Sequence, residues 1–212
     1  GHPLFERKSI FHALNQKAIG RQHAAKSGKK YEEMNLIIAH LGGGISVGAH
    51  CKGKVVDVNN ALDGDGPFSP ERSGTLPTGQ LMKLCFSGNY TAKEVGAIIK
   101  GKGGLVGHLG TNSALELDEK ADAGDEKFIL IRNAMAYQIA KIIGEMATVL
   151  KGDVDAVLIT GGIAYSKYIV NYIKEMVEFI APVVAYPGED EMGALALNGL
   201  MVHRGELQIK SY

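Results

Sequence analysis

Three consecutive glycines between two apolar runs constrain the fold of this chain more than any other feature. Residues 36–39 are apolar and lead to His40, glycines occupy positions 42–44, and a second β-type run begins at Ile45. This order predicts a strand, a tight turn and an antiparallel strand. Successive glycines let a backbone approach a ligand closely and turn its N–H groups toward an anion. The segment is therefore predicted to cradle a phosphate.

Better-known glycine motifs fit these residues less well. A P-loop ends in Gly-Lys-Ser or Gly-Lys-Thr and precedes a helix, and a dinucleotide-binding fingerprint also opens a helix. Residues 46–56 instead have the pattern of a hairpin. Because glycine motifs are weak alone, a plain β-turn between two core strands is an equally open interpretation at this point.

Composition narrows the class of protein. The 212 residues are 45% hydrophobic and include 23 basic and 23 acidic side chains, which fits one large globular domain or two small ones. The balanced charge argues against a nucleic-acid or anionic-membrane partner, and no run of about 20 apolar residues could span a membrane. Cys51 and Cys85 lack metal-ligand spacing, so we expect reduced thiols in a cytoplasmic protein.

Hydrophobic periodicity divides the chain into alternating elements. We predict a first helix over residues 10–21 with Ser9 as its N-cap, a polar connector over residues 26–33, and a hairpin up to about residue 61. The loop over residues 62–78 is long enough to be functional. The strand and helix order of the C-terminal part indicates an α/β layer with parallel strands. The later predictions are short helices over 79–86 and 91–100, a glycine-rich loop over 101–112, a helix over 125–150, a strand over 155–160, a helix over 166–179, a strand over 183–186 and a helix over 191–203.

Glycine-bearing turns recur next to the predicted strand ends, at residues 42–44, 101–110 and 161–162. Ligands of α/β folds gather at such edges of a sheet. One turn could hold phosphates while the others hold the nucleoside. The combination therefore predicts a nucleotide site more specifically than any single turn.

Several ordered segments resemble motifs of the acetate/butyrate kinase family, part of the actin-like ATPase superfamily. Residues 40–46, His-Leu-Gly-Gly-Gly-Ile-Ser, resemble the second phosphate motif, and the glycine at position 43, where acetate kinases usually have asparagine, favours the butyrate branch. The other matches are residues 7–17, similar to the Arg-x-x-x-Phe-His segment; 70–74, similar to the segment with the catalytic arginine; 158–163, similar to the adenosine motif; and 189–194, similar to the acidic segment before the closing helix.

The resemblance implies an actin-like, ribonuclease H-like lobe, an α/β fold whose mixed sheet has flanking helices. Residues 1–34 would enter this lobe and bear the Phe-His motif, and residues 35–212 would form the C-terminal nucleotide-binding lobe. Family members have a second, N-terminal lobe that nothing in this sequence matches, so we expect a fragment that begins part-way through a larger protein. The family also implies a homo-oligomer.

The implied activity is reversible phosphoryl transfer from ATP to a short-chain carboxylate, with butyrate giving butyryl phosphate. Acetate or propionate kinase is the close alternative, and a non-catalytic nucleotide-binding module is another. A carboxylate acceptor is already ionised at pH 7, so the reaction needs alignment and charge neutralisation and no protein base. The expected cofactors are therefore ATP or ADP and Mg²⁺.

Arg72 is the strongest candidate for a catalytic residue, because a guanidinium forms paired hydrogen bonds with phosphoryl oxygens and stays charged. A surface ion pair with Glu71 or Asp65 is the structural alternative. The resemblance implies that His12, expected within the first helix, donates to a phosphoryl oxygen and that Phe11 is a wall of the acyl pocket.

The remaining candidates would surround the nucleotide. His40 either touches phosphate or merely hydrogen-bonds the turn, and the sequence favours neither. Glu191 best matches the family's metal-linked glutamate, with Glu189 and Asp190 as fallbacks; an acid favoured by the helix N-terminus is the structural alternative. The residues expected to bind the nucleotide are Gly42, Gly43, Gly44, Gly107, Gly110, Gly161, Gly162 and Ile163.

Overall fold

The computed structural model describes residues 1–189 and 191–206, and for Glu191 only the backbone. The strands are β1 (Asn35–Leu41), β2 (Ile45–Cys51), β3 (Lys54–Val58), β4 (Ala156–Gly161) and β5 (Val183–Pro187). The α-helices are α1 (Ala13–Lys26), α2 (Thr78–Cys85), α3 (Ala92–Ile99), α4 (Gly104–Leu109), α5 (Ala114–Asp122), α6 (Glu126–Val149), α7 (Lys167–Val177) and α8 (Glu191–His203). Short 3₁₀ helices lie at Tyr31–Glu33 and Gly162–Tyr165.

The strands form a mixed sheet in the order β3-β2-β1-β4-β5. β2 pairs antiparallel with both β1 and β3, whereas the β1–β4 and β4–β5 pairs are parallel. This architecture confirms the predicted fold class, the hairpin around the glycines and the parallel pairing of the later strands. None of the described helices is both long and apolar enough to cross a membrane.

The central strand β1 is buried along its whole length, because helices cover both faces of the sheet. Ile37, Ala39 and Leu41 join the larger apolar core, to which α5, α6 and α7 also contribute. Leu36 and Ile38 point to the opposite face and pack in a smaller cluster beside α1. This alternation follows from the two-residue period of a strand.

The longest helix, α6, begins and packs as its sequence predicts. The Asp125 carboxylate accepts hydrogen bonds from the backbone N–H groups of Lys127 and Phe128, which stabilises the helix start. Buried residues then recur at helical spacing, so one side of the helix faces the core. They include Phe128, Ile131, Met135, Ile139, Ile142, Ile143 and Met146.

The prediction for the first helix is wrong at its start. The helix begins at Ala13, Ser9 lies outside it, and His12 occupies the N-cap position. The reason is a tertiary contact: the carbonyl of Ile10 accepts a hydrogen bond from the N–H of Ala61 at 2.9 Å. The preceding residues are thereby held against a distant loop and do not enter the helix.

The predicted glycine loop at residues 101–112 is also wrong, because it contains α4. Glycine disfavours a helix, so local propensity hides this short element, which packing stabilises. Helix α5 was not predicted. Its start follows Ser113, whose hydroxyl accepts a hydrogen bond from the N–H of Glu116 at 3.1 Å, which is an ordinary N-cap.

Candidate active site

Two of the predicted glycine turns meet at the carboxyl ends of the parallel strands β1 and β4. Gly161 has a φ of +93°, and a side chain there would overlap the backbone of Leu41. Only glycine therefore lets the two strand ends approach so closely. Gly161 and Gly188, which follows β5, also exchange backbone hydrogen bonds of 3.1 and 3.0 Å. The strand ends form one floor, at the edge of the sheet where α/β folds bind ligands.

A cleft of about 220 Å³ opens at this floor. Gly43 and Gly162 line it, and a Cβ atom at either position would meet no heavy atom within 4 Å, so both backbones face open space. An adjoining cavity of about 270 Å³ shares Gly162 and extends beside α5 toward Asp118 and Tyr165. The other residues around the first cleft are Gly42, Pro70, Glu71, Asn112, Ala114, Ile163 and Glu189.

His12 and His40 lie against each other beside the glycine turn. Their rings stack with centroids 3.8 Å apart and planes inclined by 17°. A Cβ atom at Gly42 would lie 2.9 Å from Nε2 of His40, and one at Gly44 would lie 3.8 Å from Cε1 of His12. The structure thus brings both predicted histidines to the turn that we expect to hold phosphate.

His40 is buried and uncharged at neutral pH. Burial, reinforced by the neighbouring His12, lowers the pKa of His40 to about 3. Its Nδ1 lies 2.9 Å from Oδ1 of Asn15, so the two buried side chains are hydrogen-bonded. Nε2 lies 3.5 Å from Oε2 of Glu189, and because the imidazole is neutral this is a close approach and not an ion pair. The Asn15 partner, on α1, is one that the sequence did not predict.

The loop that carries Arg72 is fastened to the glycine turn. The Ser69 hydroxyl donates to the carbonyl of Gly43 at 2.7 Å and accepts from the N–H of Arg72 at 3.2 Å. A side chain at Gly104 would overlap the carbonyl of Ser69, so the start of α4 packs directly on this loop. One glycine of the turn at residues 101–110 therefore supports the arginine loop.

Arg72 pairs with Glu71, the contact that the structural alternative predicts. Nη1 of Arg72 donates to Oε2 of Glu71 at 3.1 Å, and Asn112 donates to the other carboxylate oxygen at 2.7 Å. The bond from Asn112, followed by that from Arg72, holds the pKa of Glu71 below its usual value. Nε of Arg72 is buried with no hydrogen-bond partner in the described part of the chain. A buried donor without a partner is costly, and the side chain of Arg72 is not among those that line the first cleft.

Three predicted site residues lie away from the cleft. Gly107 belongs to α4 and Gly110 is its C-cap. The residues that line the cleft next to this part of the chain are Asn112 and Ala114. Phe11 lines a separate groove of about 640 Å³ along β3.

The predicted metal ligand falls at the limit of what the structure describes. Asp190 lies outside the described residues, as does the side chain of Glu191. Among the side chains of residues 1–189 and 192–206, no three from histidine, cysteine, aspartate or glutamate are grouped closely enough to hold a metal ion. Glu71 and Glu189 are the described carboxylates that line the first cleft.

Sequence reasoning missed a polar row behind His12. Gln16 of α1 and Ser46 and His50 of β2 are fully buried in positions where an apolar core would be expected. Ser46 and His50 are separated by an even number of residues and so share one face of their strand. That spacing in an otherwise apolar strand was the available signal.

Comparisons with known proteins agree with the geometry. Residues 4–181 match the Acetokinase family. Over the whole chain, "Probable butyrate kinase" of Phocaeicola vulgatus is 57% identical and "Butyrate kinase 2" of Clostridium acetobutylicum is 55% identical, and the chain spans 60% of the length of each. The fold is similar to that of Porphyromonas gingivalis acetate kinase, with a TM-score of 0.83 at 23% identity, over 91% of this chain and 55% of that one.

Proposed function

The chain belongs to the acetokinase family, and on this premise we propose that the protein transfers a phosphoryl group between ATP and a short-chain carboxylate. The observation that carries the proposal is the cleft at the ends of β1 and β4, where two open glycine turns and the Arg72 loop come together. Butyrate is the acceptor that we propose, because curated relatives at 55% and 57% identity are named butyrate kinases.

The proposed reaction relies on alignment and charge. The acceptor carboxylate is ionised at pH 7 and attacks phosphorus directly, and so no side chain has to remove a proton. Arg72 would neutralise charge on the transferring phosphoryl group, and this role would require its guanidinium to turn from Glu71 toward the cleft. His12, beside the glycine turn, would donate a second hydrogen bond.

The nucleotide would lie across both cavities. Its phosphates would approach the backbone at Gly43, where a side chain would otherwise fill the open space. The nucleoside would extend past Gly162 and Ile163 toward Asp118 and Tyr165, which line the adjoining cavity. In this placement, the turns at residues 42–44 and 161–162 keep the roles that the resemblance implies for them. The third predicted contact, from the glycines of α4, is replaced by a contact from the start of α5.

Magnesium fits the donor set of this cleft. Mg²⁺ is usually held by one or two carboxylates together with substrate phosphates and water, so a dedicated cluster is unnecessary. Glu189 supplies a partly exposed carboxylate at the cleft, and Glu191 stays the ligand predicted from the resemblance. When bound, the ion would neutralise phosphate charge.

The division into residues 1–34 and 35–212 stays a prediction, as do the homo-oligomeric state and the cytoplasmic location. A chain that spans 60% of its relatives leaves the activity of the whole protein as a proposal. The second candidate function is a nucleotide-binding module without turnover. The ion pair between Arg72 and Glu71 favours it, because that pair occupies part of the guanidinium.

Arg72→Ala in the intact protein tests the proposal. An arginine that stabilises the charge of a phosphoryl transition state contributes roughly a thousandfold or more to turnover. We therefore expect kcat with butyrate and ATP to fall by about that factor while calorimetric affinity for Mg·ADP changes little, and Arg72→Lys to recover only part of the rate.

Arg204→Ala is the matched control, because Arg204 is exposed after α8 and should leave kcat unchanged. Unchanged turnover in Arg72→Ala would remove Arg72 from the mechanism. Nucleotide binding without butyrate, propionate or acetate turnover in the wild type would instead favour the non-catalytic module. The ratio of kcat/KM values for the three acids ranks the acceptors.

A further inference from the structure

A buried chain of hydrogen bonds leads to the ring of His12 from the side opposite its Nε2. Gln16 lies one turn after His12 in α1 and faces β2, where Ser46 and His50 point to the same side. Tyr31, in the short helix before β1, contacts the far ring nitrogen of His50. The buried chain is thus defined, from its far end, as Tyr31, His50, Gln16 and Ser46.

The amide of Gln16 can adopt only one orientation. Its Nε2 lies 3.1 Å from the carbonyl oxygen of Ser46 and 2.9 Å from the Ser46 hydroxyl. A carbonyl oxygen can only accept, so the –NH₂ group must face it. Oε1 of Gln16 therefore faces Nε2 of His50 at 2.9 Å, and that nitrogen must carry a hydrogen.

The far end of the buried chain follows from the same reasoning. Nδ1 of His50 lies 2.6 Å from the hydroxyl of Tyr31. Burial, with a smaller contribution from Lys17, lowers the pKa of His50 to about 3, and burial raises the pKa of Tyr31 to about 12. Both groups are neutral at pH 7, so the Tyr31 hydroxyl donates to Nδ1 of His50.

At the near end, Ser46 determines which ring nitrogen of His12 carries the hydrogen. The Ser46 hydroxyl oxygen accepts from Gln16 at 2.9 Å and from the backbone N–H of His12 at 3.4 Å, which uses both of its lone pairs. Its own hydrogen is left for Nδ1 of His12, 2.8 Å away. A neutral His12 then carries its ring hydrogen on Nε2.

Gly48 makes room for this arrangement. It lies between Ser46 and His50 on the same face of β2, and a Cβ atom there would be 2.5 Å from Oε1 of Gln16 and 3.2 Å from Nε2 of His50. The strand therefore leaves out a side chain where the hydrogen bond between Gln16 and His50 has to pass. The space at Gly48 and the hydrogen bonds are independent evidence that the strand accommodates the buried chain.

We propose that the buried chain is a positioning device: it fixes the ring of His12 and keeps the hydrogen of its neutral form on Nε2. All four members donate in the direction of His12, so the chain cannot reverse without turning the Gln16 amide against the Ser46 carbonyl. His12 would then offer an N–H donor, and not a lone pair, to a phosphoryl oxygen. The inference rests on the proposed function for that last role, and the members of the chain are positioning residues.

Histidine tautomers can be read directly by nitrogen NMR. We would label the histidines of the intact protein with ¹⁵N, assign His12 by its loss in His12→Gln, and record long-range ¹H–¹⁵N spectra at pH 8. The expected result is an unprotonated Nδ1 and a protonated Nε2 for His12. A protonated Nδ1 in the wild type would overturn the inference, as would an averaged mixture of both tautomers.

Tyr31→Phe and Ser46→Ala test whether the chain maintains this state. Losing one hydrogen bond should cost up to about tenfold in kcat, with the nucleotide KM unchanged, and should shift the His12 nitrogen signals toward a mixture; Ser46→Ala should have the larger effect. If Ser46→Ala does not fold, the wild-type tautomer spectrum decides the matter alone. Unmoved His12 signals in a folded Ser46→Ala variant would overturn the proposal.

Tyr186→Phe is the matched control. Tyr186 forms the same kind of pair with a histidine, its hydroxyl lying 2.9 Å from Nδ1 of His23, but neither residue belongs to the buried chain. The control should leave the His12 signals and kcat unchanged. If the wild type shows no carboxylate kinase turnover, the proposed function fails, and the tautomer spectrum still decides the positioning chain.

Discussion

The strands β1 and β2 present a uniformly apolar face toward α6. On their face toward α1, called the polar face, buried polar side chains lie beside Leu36 and Ile38. On the apolar face, Ile37, Ala39 and Val47 belong to a continuous core. On the other face of the same strands lie His40 and Ser46, both buried and both hydrogen-bonded to residues of α1.

The difference indicates which face of the sheet can hold reactive side chains in this fold. An apolar face stabilises the fold in proportion to the area it buries, whereas buried polar groups cost free energy unless each is paired. Because the two kinds of side chain alternate along one backbone, the packing of the apolar face also holds the polar side chains in place. We therefore expect the first face to control stability and the second to control the reaction.

The largest expected effect on stability comes from the apolar face. Met135→Ala on α6 removes a fully buried side chain, and such truncations cost about 2–5 kcal/mol. Urea unfolding of the intact protein should show this loss, while kcat per folded molecule stays close to the wild-type value.

Leu130→Ala is the control on the same helix, because Leu130 is 65% exposed and its loss should change stability by less than about 0.5 kcal/mol. Equal costs for the two truncations would contradict the assignment of α6 to the core. A large loss of kcat in Met135→Ala would contradict the separation of the two faces.

The same substitution should have opposite effects on stability at an open glycine of α6 and at a packed glycine of the polar face. Gly144→Ala in α6 meets no heavy atom within 4 Å and should raise the free energy of unfolding by up to about 1 kcal/mol, since alanine favours a helix. Gly48→Ala in β2 displaces Gln16 and should lower it by about 1–3 kcal/mol. Urea unfolding measures both. If Gly48→Ala is as stable as the wild type, the space at Gly48 is not needed.

The smallest expected effect is a pH dependence from the polar face. The pKa values of His40 and His50 are lowered to about 3, below their unfolded value, so unfolding takes up protons and stability falls as pH falls. The contribution of the two neutral histidines to the free energy of unfolding is complete above about pH 6.5 and is lost progressively toward pH 3. We expect a loss of roughly 1 kcal/mol between pH 7 and pH 6 for the two together.

That window lies above the titration of most carboxylates, so the histidines dominate it. His50→Asn should remove about half of the slope. A free energy of unfolding, measured in urea, that does not change between pH 7 and pH 6 would show that the buried histidines do not stay neutral in the folded state.

The sheet and its glycine turns could be predicted because they are local. Apolar runs of strand length, the glycines at residues 42–44 and the pair at 161–162 are visible without any tertiary information. The position of Ser46 and His50 on one face also follows from spacing, although its meaning appears only when Gln16 is placed opposite.

The parts that could not be predicted depend on distant contacts. The first helix starts late because Ile10 is bonded to Ala61, a pairing that no local pattern indicates. The glycines near residue 104 suggested a ligand loop, yet Gly104 allows α4 to pack on Ser69. The role of Phe11 depends on which groove it enters, and the sequence does not encode that choice locally.

Calorimetric titration of the intact protein with Mg·ADP tests most directly whether the cleft between the two open glycine turns holds the nucleotide. We expect saturable binding to the wild type and weaker binding to Gly43→Ala, whose added methyl group would enter the open cleft. Gly96→Ala, on the exposed surface of α3, should bind like the wild type. No binding to the folded wild type, or equal affinity in Gly43→Ala, would show that the nucleotide does not bind in this cleft.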